Sequence, residues 1–237
     1  MSKVELSIII PCYNEGSTFE NSVRKVIDVV KTLDRRLEII FVEDKSADDS
    51  KKTVEKITKK YKHIRAVYHR KNEGRGKSVS DGIKTAKGAI CGYLDIDLEI
   101  SPSYIPLFIK EIAEGSDLVV GQRFYEGGRI NSILRFLASK IYALCVKYTV
   151  DIPVEDTEAG YKFFNRKKIT PILRKIKSKH WFWDTEICAQ AYWNGLAITQ
   201  VPVLFKRRHD KKSTVKILPD TFDYVENLIR LRSQPHA

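Results

Sequence analysis

Three carboxylates, Asp95, Asp97 and Glu99, stand within five residues, directly after an apolar run at 89–94 that has the length and composition of a buried strand. Burying such charges is costly unless a cation meets them. An extended chain alternates its side chains, so the three would share one face and offer hard oxygen ligands suited to Mg²⁺ or Mn²⁺. An ion held there would in turn hold a diphosphate. A lone D-x-D is more often only a solvated strand end, and the motif by itself does not establish a metal site.

Other chemistry-bearing residues sit in comparable places. Pro11-Cys12-Tyr13-Asn14-Glu15 follows a β-branched run at 6–10, and Glu43-Asp44 closes an apolar run at 37–42. Asp156-Thr157-Glu158 and Trp181-Phe182-Trp183-Asp184-Thr185-Glu186 set carboxylates near aromatics. That mixture closes a core, or it lines a sugar cleft in which apolar sugar faces lie on rings and hydroxyls bond to carboxylates. Residues 206–216 are the densest basic segment, readable as a solvated loop or as a mobile lid over phosphates.

The elements that would position these residues alternate. Ser17 and Glu20 have capping-box spacing for a helix to about residue 33, and Ser46 with Asp49 opens a second, lysine-rich helix. A third unit follows as a strand at 64–68, a glycine-containing loop at 72–76 and a helix through Ala86. The fourth strand delivers the acidic stretch. Pro102 suits the first turn of a helix to about residue 114, ahead of a fifth strand at 117–121 and Gln122-Arg123. Residues 131–148 read as an amphipathic, basic helix, with Leu134, Leu137, Ile141, Leu144, Cys145 and Tyr148 on one stripe and Lys140 and Lys147 on another. Such a helix packs on a core or seats on a membrane surface. Thr170 and Pro171 mark the start of a short helix, residues 181–186 open another, and 197–205 form a late strand. Strands that are continuously apolar and alternate with helices predict an α/β fold, a mainly parallel sheet with helices on both faces. Ligands of such sheets lie at the carboxyl ends of the strands, where the polar groups gather here.

The chain has 237 residues, 43% of them hydrophobic, which is ample for one large domain. Its four cysteines show no C-x-x-C pairing and read as reduced core residues of a cytosolic protein. Neither a signal peptide nor eighteen uninterrupted apolar residues is present, so a soluble or peripheral protein is expected. The formal charge of +12 favours anionic partners, although lysine richness also serves solubility. Nucleic acid is not expected, because carboxylates at three strand ends would repel its phosphates.

Taken together, these motifs resemble glycosyltransferase family 2, whose nucleotide-sugar-binding domain carries the GT-A (Rossmann-like) fold. The resemblance runs over residues 4–205 and more loosely onward. Ile10-Pro11-Cys12-Tyr13-Asn14-Glu15 is similar to the family's I-P-x-Y-N-E, which implies that Pro11, Tyr13 and Glu15 lie along the nucleotide. Residues 42–50 correspond to V-D-D-x-S-x-D-x-T and put Asp44 at the base-contacting position; Glu43 replaces the usual first aspartate, and Lys45 and Asp49 replace common glycines. Asn72-Glu73-Gly74-Arg75-Gly76-Lys77 is similar to N-x-G-K-G-x, with Arg75 in place of lysine and Gly74 and Lys77 towards the nucleotide sugar. Asp95-Ile96-Asp97 matches the D-x-D, implying Asp97 as metal ligand and Asp95 near the ribose or the metal, with Glu99 beside them.

The second half looks most like the dolichyl-phosphate sugar synthases, the glucose-type branch in particular. Val120-Gly121-Gln122-Arg123 matches V-G-S-R, and Asp156-Thr157-Glu158-Ala159-Gly160-Tyr161-Lys162 resembles D-T-Q-C-G-F-K. Pro202-Val203-Leu204-Phe205 with Arg208 resembles P-x-x-F-x-x-R; of the following G-x-S-K only Ser213 is kept, and Lys211, Lys212 and Lys216 stand near the missing cation. The resemblance therefore implies one catalytic domain, with residues 1–123 for the nucleotide sugar and 124–237 for the acceptor and lid. It implies an inverting transfer of a hexose from a UDP-glucose or GDP-mannose type donor to polyprenyl phosphate, with Mg²⁺ or Mn²⁺, by a cytoplasmic protein held peripherally on an anionic membrane. Asp97, Asp156 and Arg208 would be catalytic, Arg123 would bind the donor, and Thr157, Glu158, Trp183, Asp184, Glu186, Lys211, Lys212 and Ser213 would face sugar or acceptor. The alternative is a soluble or glycan acceptor, with Asp156 or Glu158 as general base.

Overall fold

The computed structural model describes residues 4–125, 146, 149–207 and 217–233. Three strand-helix units open the chain: β1 (Leu6–Cys12) and α1 (Phe19–Lys31), β2 (Leu37–Glu43) and α2 (Ser50–Lys60), β3 (Ile64–Tyr68) and α3 (Arg75–Thr85). Next come β4 (Ile90–Leu94), a 3₁₀ turn at Pro102–Tyr104, α4 (Ile105–Ala113) and β5 (Leu118–Tyr125). The remainder supplies β6 (Tyr161–Asn165), α5 (Arg166–Ile172), α6 (Trp183–Trp193), β7 (Ile198–Phe205) and α7 (Ile217–Arg232).

The seven strands form one sheet in the order β3-β2-β1-β4-β6-β5-β7. β6 is antiparallel to both its neighbours, and the other pairings are parallel. Both halves of the chain build this sheet, since β6 lies between β4 and β5. β1, β2 and β4 are largely apolar because both faces are covered. Alternation in β1 and β2 sends Ile8, Ile10, Ile39 and Phe41 to one face, against Val23, Val26, Val54 and Phe108 of α1, α2 and α4. Ile9, Ile40 and Val42 go to the other, against Val79, Ile83, Ile169, Ile187 and Leu231 of α3, α5, α6 and α7. The expected α/β sheet with helices on both faces is what the chain forms.

Local expectations fare less evenly. The Ser17 capping box does not form: Thr18 is the N-cap of α1 and makes no side-chain cap bond, nor does Asp49 at α2. Thr170 and Pro171 lie inside α5, which starts at Arg166, and the Thr170 hydroxyl bonds back to the Arg166 carbonyl at 2.7 Å. Cys12, Cys91 and Cys188 are buried free thiols, as expected. The helix expected at 131–148 lies outside the described residues except for Val146, which is helical and buried.

Candidate active site

The sheet brings the carboxyl ends of β1, β2, β4 and β5 to one edge, with the start of antiparallel β6 among them. β1 and β2 run in register to Cys12 and Glu43, so the loops that follow lie side by side. The first is held by side chains of the second. Backbone N–H groups of Asn14, Glu15 and Gly16 donate to Ser46 Oγ (3.1 Å), Ser50 Oγ (2.8 Å) and Asp48 Oδ2 (2.9 Å), and Ala47 N–H donates to Asn14 Oδ1 (2.8 Å). Asn14, Gly16 and Lys45 adopt positive φ, so the chain reverses tightly here. Ser46 and Ser50 therefore tie loop to loop through their hydroxyls, and Asp48 does so through Oδ2 while its Oδ1 accepts from the Ser50 N–H at the start of α2 (2.9 Å). Pro11 is buried in β1, Tyr13 is exposed, and Glu15 accepts from the Tyr13 N–H at 3.1 Å.

Asp44 is buried and pins the glycine loop: Oδ1 accepts from Glu73 N–H (2.8 Å) and Oδ2 from Gly74 N–H (2.9 Å), while His69 Nδ1 lies 2.7 Å from Oδ1. A nucleotide base would have to share these oxygens. Gly74 has φ +98°, and a Cβ there would strike His180. Lys77 pairs with Asp81 one turn along α3, while its N–H bonds to the Lys179 carbonyl at 2.9 Å.

After Leu94 the chain turns. Leu98 has φ +56°, its N–H bonds to the Asp95 carbonyl (3.2 Å), and Glu99 N–H bonds to Asp97 Oδ1 (3.2 Å). The extended alternation expected to align Asp95, Asp97 and Glu99 is thus broken, and among the described residues no three metal-binding side chains converge. The three-carboxylate ligand set is corrected accordingly. A smaller set still fits: Mg²⁺ keeps several waters and takes one or two carboxylates together with substrate phosphates, and Asp97 with Asp95 on one partly exposed turn supplies oxygen donors of that kind. The Glu99 carbonyl accepts from Lys206 N–H at 2.8 Å, which holds the end of β7 beside this turn.

Asp95 meets a cation. Arg75, at the start of α3, donates to it twice, Nε to Oδ1 and Nη2 to Oδ2, both at 2.8 Å. Its third nitrogen reaches Asp184 Oδ2 at 2.5 Å, and Asp184 Oδ1 accepts from Lys162 Nζ (2.5 Å) and from the Tyr93 hydroxyl. Lys162 is fully buried in β6. Burial opposes the charge of Asp184, but Lys162 and Arg75 outweigh it and hold the carboxyl below its ordinary range.

At the end of β5, Arg123 grips Asp156 with Nε (2.7 Å) and Nη2 (2.8 Å), and lies 3.7 Å from Glu158. Burial disfavours the Asp156 carboxylate, yet the Arg123 charge and its bonds keep the pKa low. Glu158 goes the other way: desolvation, reinforced by the Asp156 charge, raises it against the pull of Arg123.

Several residues expected to face sugar or acceptor are engaged internally. Trp183 is buried, with Nε1 bonded to Ser80 Oγ (2.7 Å); Thr157 is buried against the Thr185 hydroxyl (2.8 Å). Asp184 sits behind Asp95, and buried Glu186 accepts from the backbone of Lys177 (3.1 Å) and Ser178 (2.7 Å). These four are corrected from cleft groups to supports. Trp181, not among the expected ligands, has its ring 5.2 Å from the Arg75 guanidinium. Arg208, Lys211, Lys212 and Ser213 lie outside the described residues. Arg75 and Lys162 are residues that sequence reading missed as site groups; both stood inside recognised motifs, which was the available signal.

This fold and its loops define a class. The chain matches the family model for glycosyl transferase family 2 over residues 7–183, and it belongs to that family. It is 30% identical over 129 residues to a dolichol-phosphate mannosyltransferase of Pyrococcus furiosus, covering 54% of this chain and 36% of that one. It is 26% identical over 213 residues to the dolichyl-phosphate beta-glucosyltransferase ALG5A of Trichomonas vaginalis, covering 85% and 66%. The chain thus spans between about a third and two thirds of the length of these relatives. Its fold matches glucosyl-3-phosphoglycerate synthase from Mycobacterium tuberculosis, crystallised with Mn²⁺, UDP-glucose and phosphoglyceric acid, with TM-score 0.72, 20% identity and coverage of 98% and 81%. No helix among the described residues is long and apolar enough to cross a membrane.

Proposed function

We propose that this protein transfers a hexose, with inversion, from a nucleoside diphosphate sugar of the UDP-glucose or GDP-mannose type to a polyprenyl (dolichyl-type) phosphate at the cytoplasmic face of a membrane. The observation that carries this reading is the paired charge at the carboxyl edge of the sheet, Asp95 with Arg75 and Asp156 with Arg123. An acceptor phosphate monoester has a second pKa near ~6, so it arrives ionised and needs no protein base. It needs positioning among cations, and Asp156, gripped on both oxygens, orients Arg123 instead of removing a proton. Asp97 and Asp95 would hold Mg²⁺ or Mn²⁺, which when bound would supply charge neutralisation for the leaving diphosphate. Tyr13 to Gly16 and the Asp44-pinned loop support the nucleotide, and Arg208 with Lys211, Lys212 and Lys216 is assigned to the phosphates. The names of the two relatives support a lipid-phosphate acceptor, and the net charge of +12 supports seating on an anionic surface.

One observation favours a second reading, a soluble or glycan acceptor. Glu158, 3.7 Å from Arg123, is the carboxylate with the raised pKa, and a raised pKa suits a general base towards a hydroxyl. Incubation with radiolabelled UDP-glucose or GDP-mannose and polyprenyl phosphate, with and without EDTA, tests the proposal. Label extractable into organic solvent and abolished by EDTA is expected; no extractable label from either donor would end it.

A further inference from the structure

We infer that Arg75 is a positioning residue for the acidic turn: anchored on the buried Asp184–Lys162 pair, its guanidinium fixes the Asp95 carboxylate in the orientation that a metal and a diphosphate require. This deepens the donor-site reading above and rests on it.

Three observations converge. The first is the shape of the contact. Arg75 uses a two-point fork on Asp95 and a further nitrogen on Asp184, while its guanidinium carbon lies 5.3 Å from the Tyr93 ring and 5.2 Å from the Trp181 ring. A planar fork bonded on both sides and set against rings has one orientation, which the flexible ammonium of a lysine does not. Each oxygen of Asp95 keeps a second lone pair beyond its bond to Arg75, so the carboxylate is oriented without being used up.

The second is the burial of the anchor. Lys162 is 0% and Asp184 2% exposed, and the ammonium is satisfied by Asp184 (2.5 Å), the Ala159 carbonyl (2.6 Å) and the Tyr93 hydroxyl (3.2 Å). A buried ion pair is poor at stabilising a fold, because apolar residues of like volume do as well or better. Its use here is to present a fixed negative charge to Arg75 from the interior. Asp95, Arg75, Asp184 and Lys162 together are neutral, so the row brings no net charge into the sheet.

The third is Gly160, immediately before β6. Its carbonyl accepts the Asp95 N–H at 3.1 Å, and a Cβ on it would fall on the Asp95 carboxylate and against the Arg75 guanidinium. The backbone leaves room for this pairing and for no side chain.

The test uses the full chain and three changes: Arg75→Lys; Lys162→Met with Asp184→Asn, which removes the buried charges together; and Gly160→Ala. Mn²⁺ is titrated calorimetrically into each protein with UDP, and separately with GDP, alongside a thermal melt. Loss of a partner that orients a metal ligand weakens metal binding by about 10–100-fold, and that loss is expected in all three, with Arg75→Lys melting close to the parent. If the parent binds and the folded variants bind within about twofold of it, whatever their melting temperatures, Arg75 is structural only and the inference falls while the donor site stands. Should Gly160→Ala not fold, Arg75→Lys decides. A parent that binds Mn²⁺ with neither nucleotide overturns the donor-site reading itself, and the inference with it.

Discussion

Arg123 and Asp156 face each other across the carboxyl edge of the sheet, joined through Nε–Oδ2 at 2.7 Å and Nη2–Oδ1 at 2.8 Å, with the Arg123 N–H adding a third bond at 3.0 Å. Such a carboxylate is an orienting group. Asp156→Asn is therefore expected to lower turnover by up to roughly 100-fold, the scale of misplaced reacting groups, while rate against pH keeps its shape, rising through the acceptor's own pKa and flat to about pH 8. Loss of the pH dependence together with the activity would make Asp156 a base. The same pair affects stability. Its folded pKa lies below the ordinary 3.8, so its contribution is present above that value and is lost as acid protonates the folded carboxylate.

Asp97 is the carboxylate of the acidic turn assigned to the metal. Asp97→Asn is nearly isosteric at a partly exposed turn, so the protein should fold and melt as before while transfer falls roughly 100-fold or more. Undiminished transfer in this variant, or in excess EDTA, removes the metal from the account.

The strands and the parallel sheet were legible because a strand covered on both faces is a nearly continuous apolar run, as 6–10, 37–42 and 89–94 are apart from Ser7 and Glu38, which pair with each other at 2.7 Å. β6 was not, since Lys162 interrupts its aromatic pattern and its place between β4 and β5 depends on partners far along the chain. Its lysine is tolerated only because Asp184 lies beside it in space. The three-carboxylate face failed for a local reason: Leu98 takes positive φ and bends the chain where alternation assumed it straight. Asp184 and Glu186 read as ligand groups because sequence shows charge but not who meets it; the arginine on Asp184 lies 109 residues away. Ser46 and Ser50 have the chemistry of helix caps, and a neighbouring loop took up their oxygens first.

Arg208 follows β7 by three residues, and the β7 end is tied to the acidic turn through Lys206 and Glu99. A guanidinium grips two phosphate oxygens at once, so Arg208→Lys should already impair turnover and Arg208→Ala more so, with Arg207→Ala as the tolerant control. Equal tolerance at both positions in steady-state assays returns the segment to a solvated loop.

Cys91 and Cys188 are buried, and desolvation pushes both thiols up to about 12. Neither should react with a thiol reagent at pH 8 in the folded protein, and both should react in denaturant. Mass-spectrometric mapping of alkylated peptides reads this directly; rapid labelling of either in native buffer would show that the core beneath α3, α5 and α6 opens.

The central claim is that the acceptor is a phosphate that brings its own charge to a site built from paired cations. One competition measures it: a radiolabelled nucleotide sugar is offered an equal mixture of polyprenyl phosphate and the corresponding polyprenol, in the presence of Mn²⁺. The account predicts label on the phosphate alone, with Asp156→Asn slower but equally selective. Label on the alcohol and none on the phosphate contradicts it.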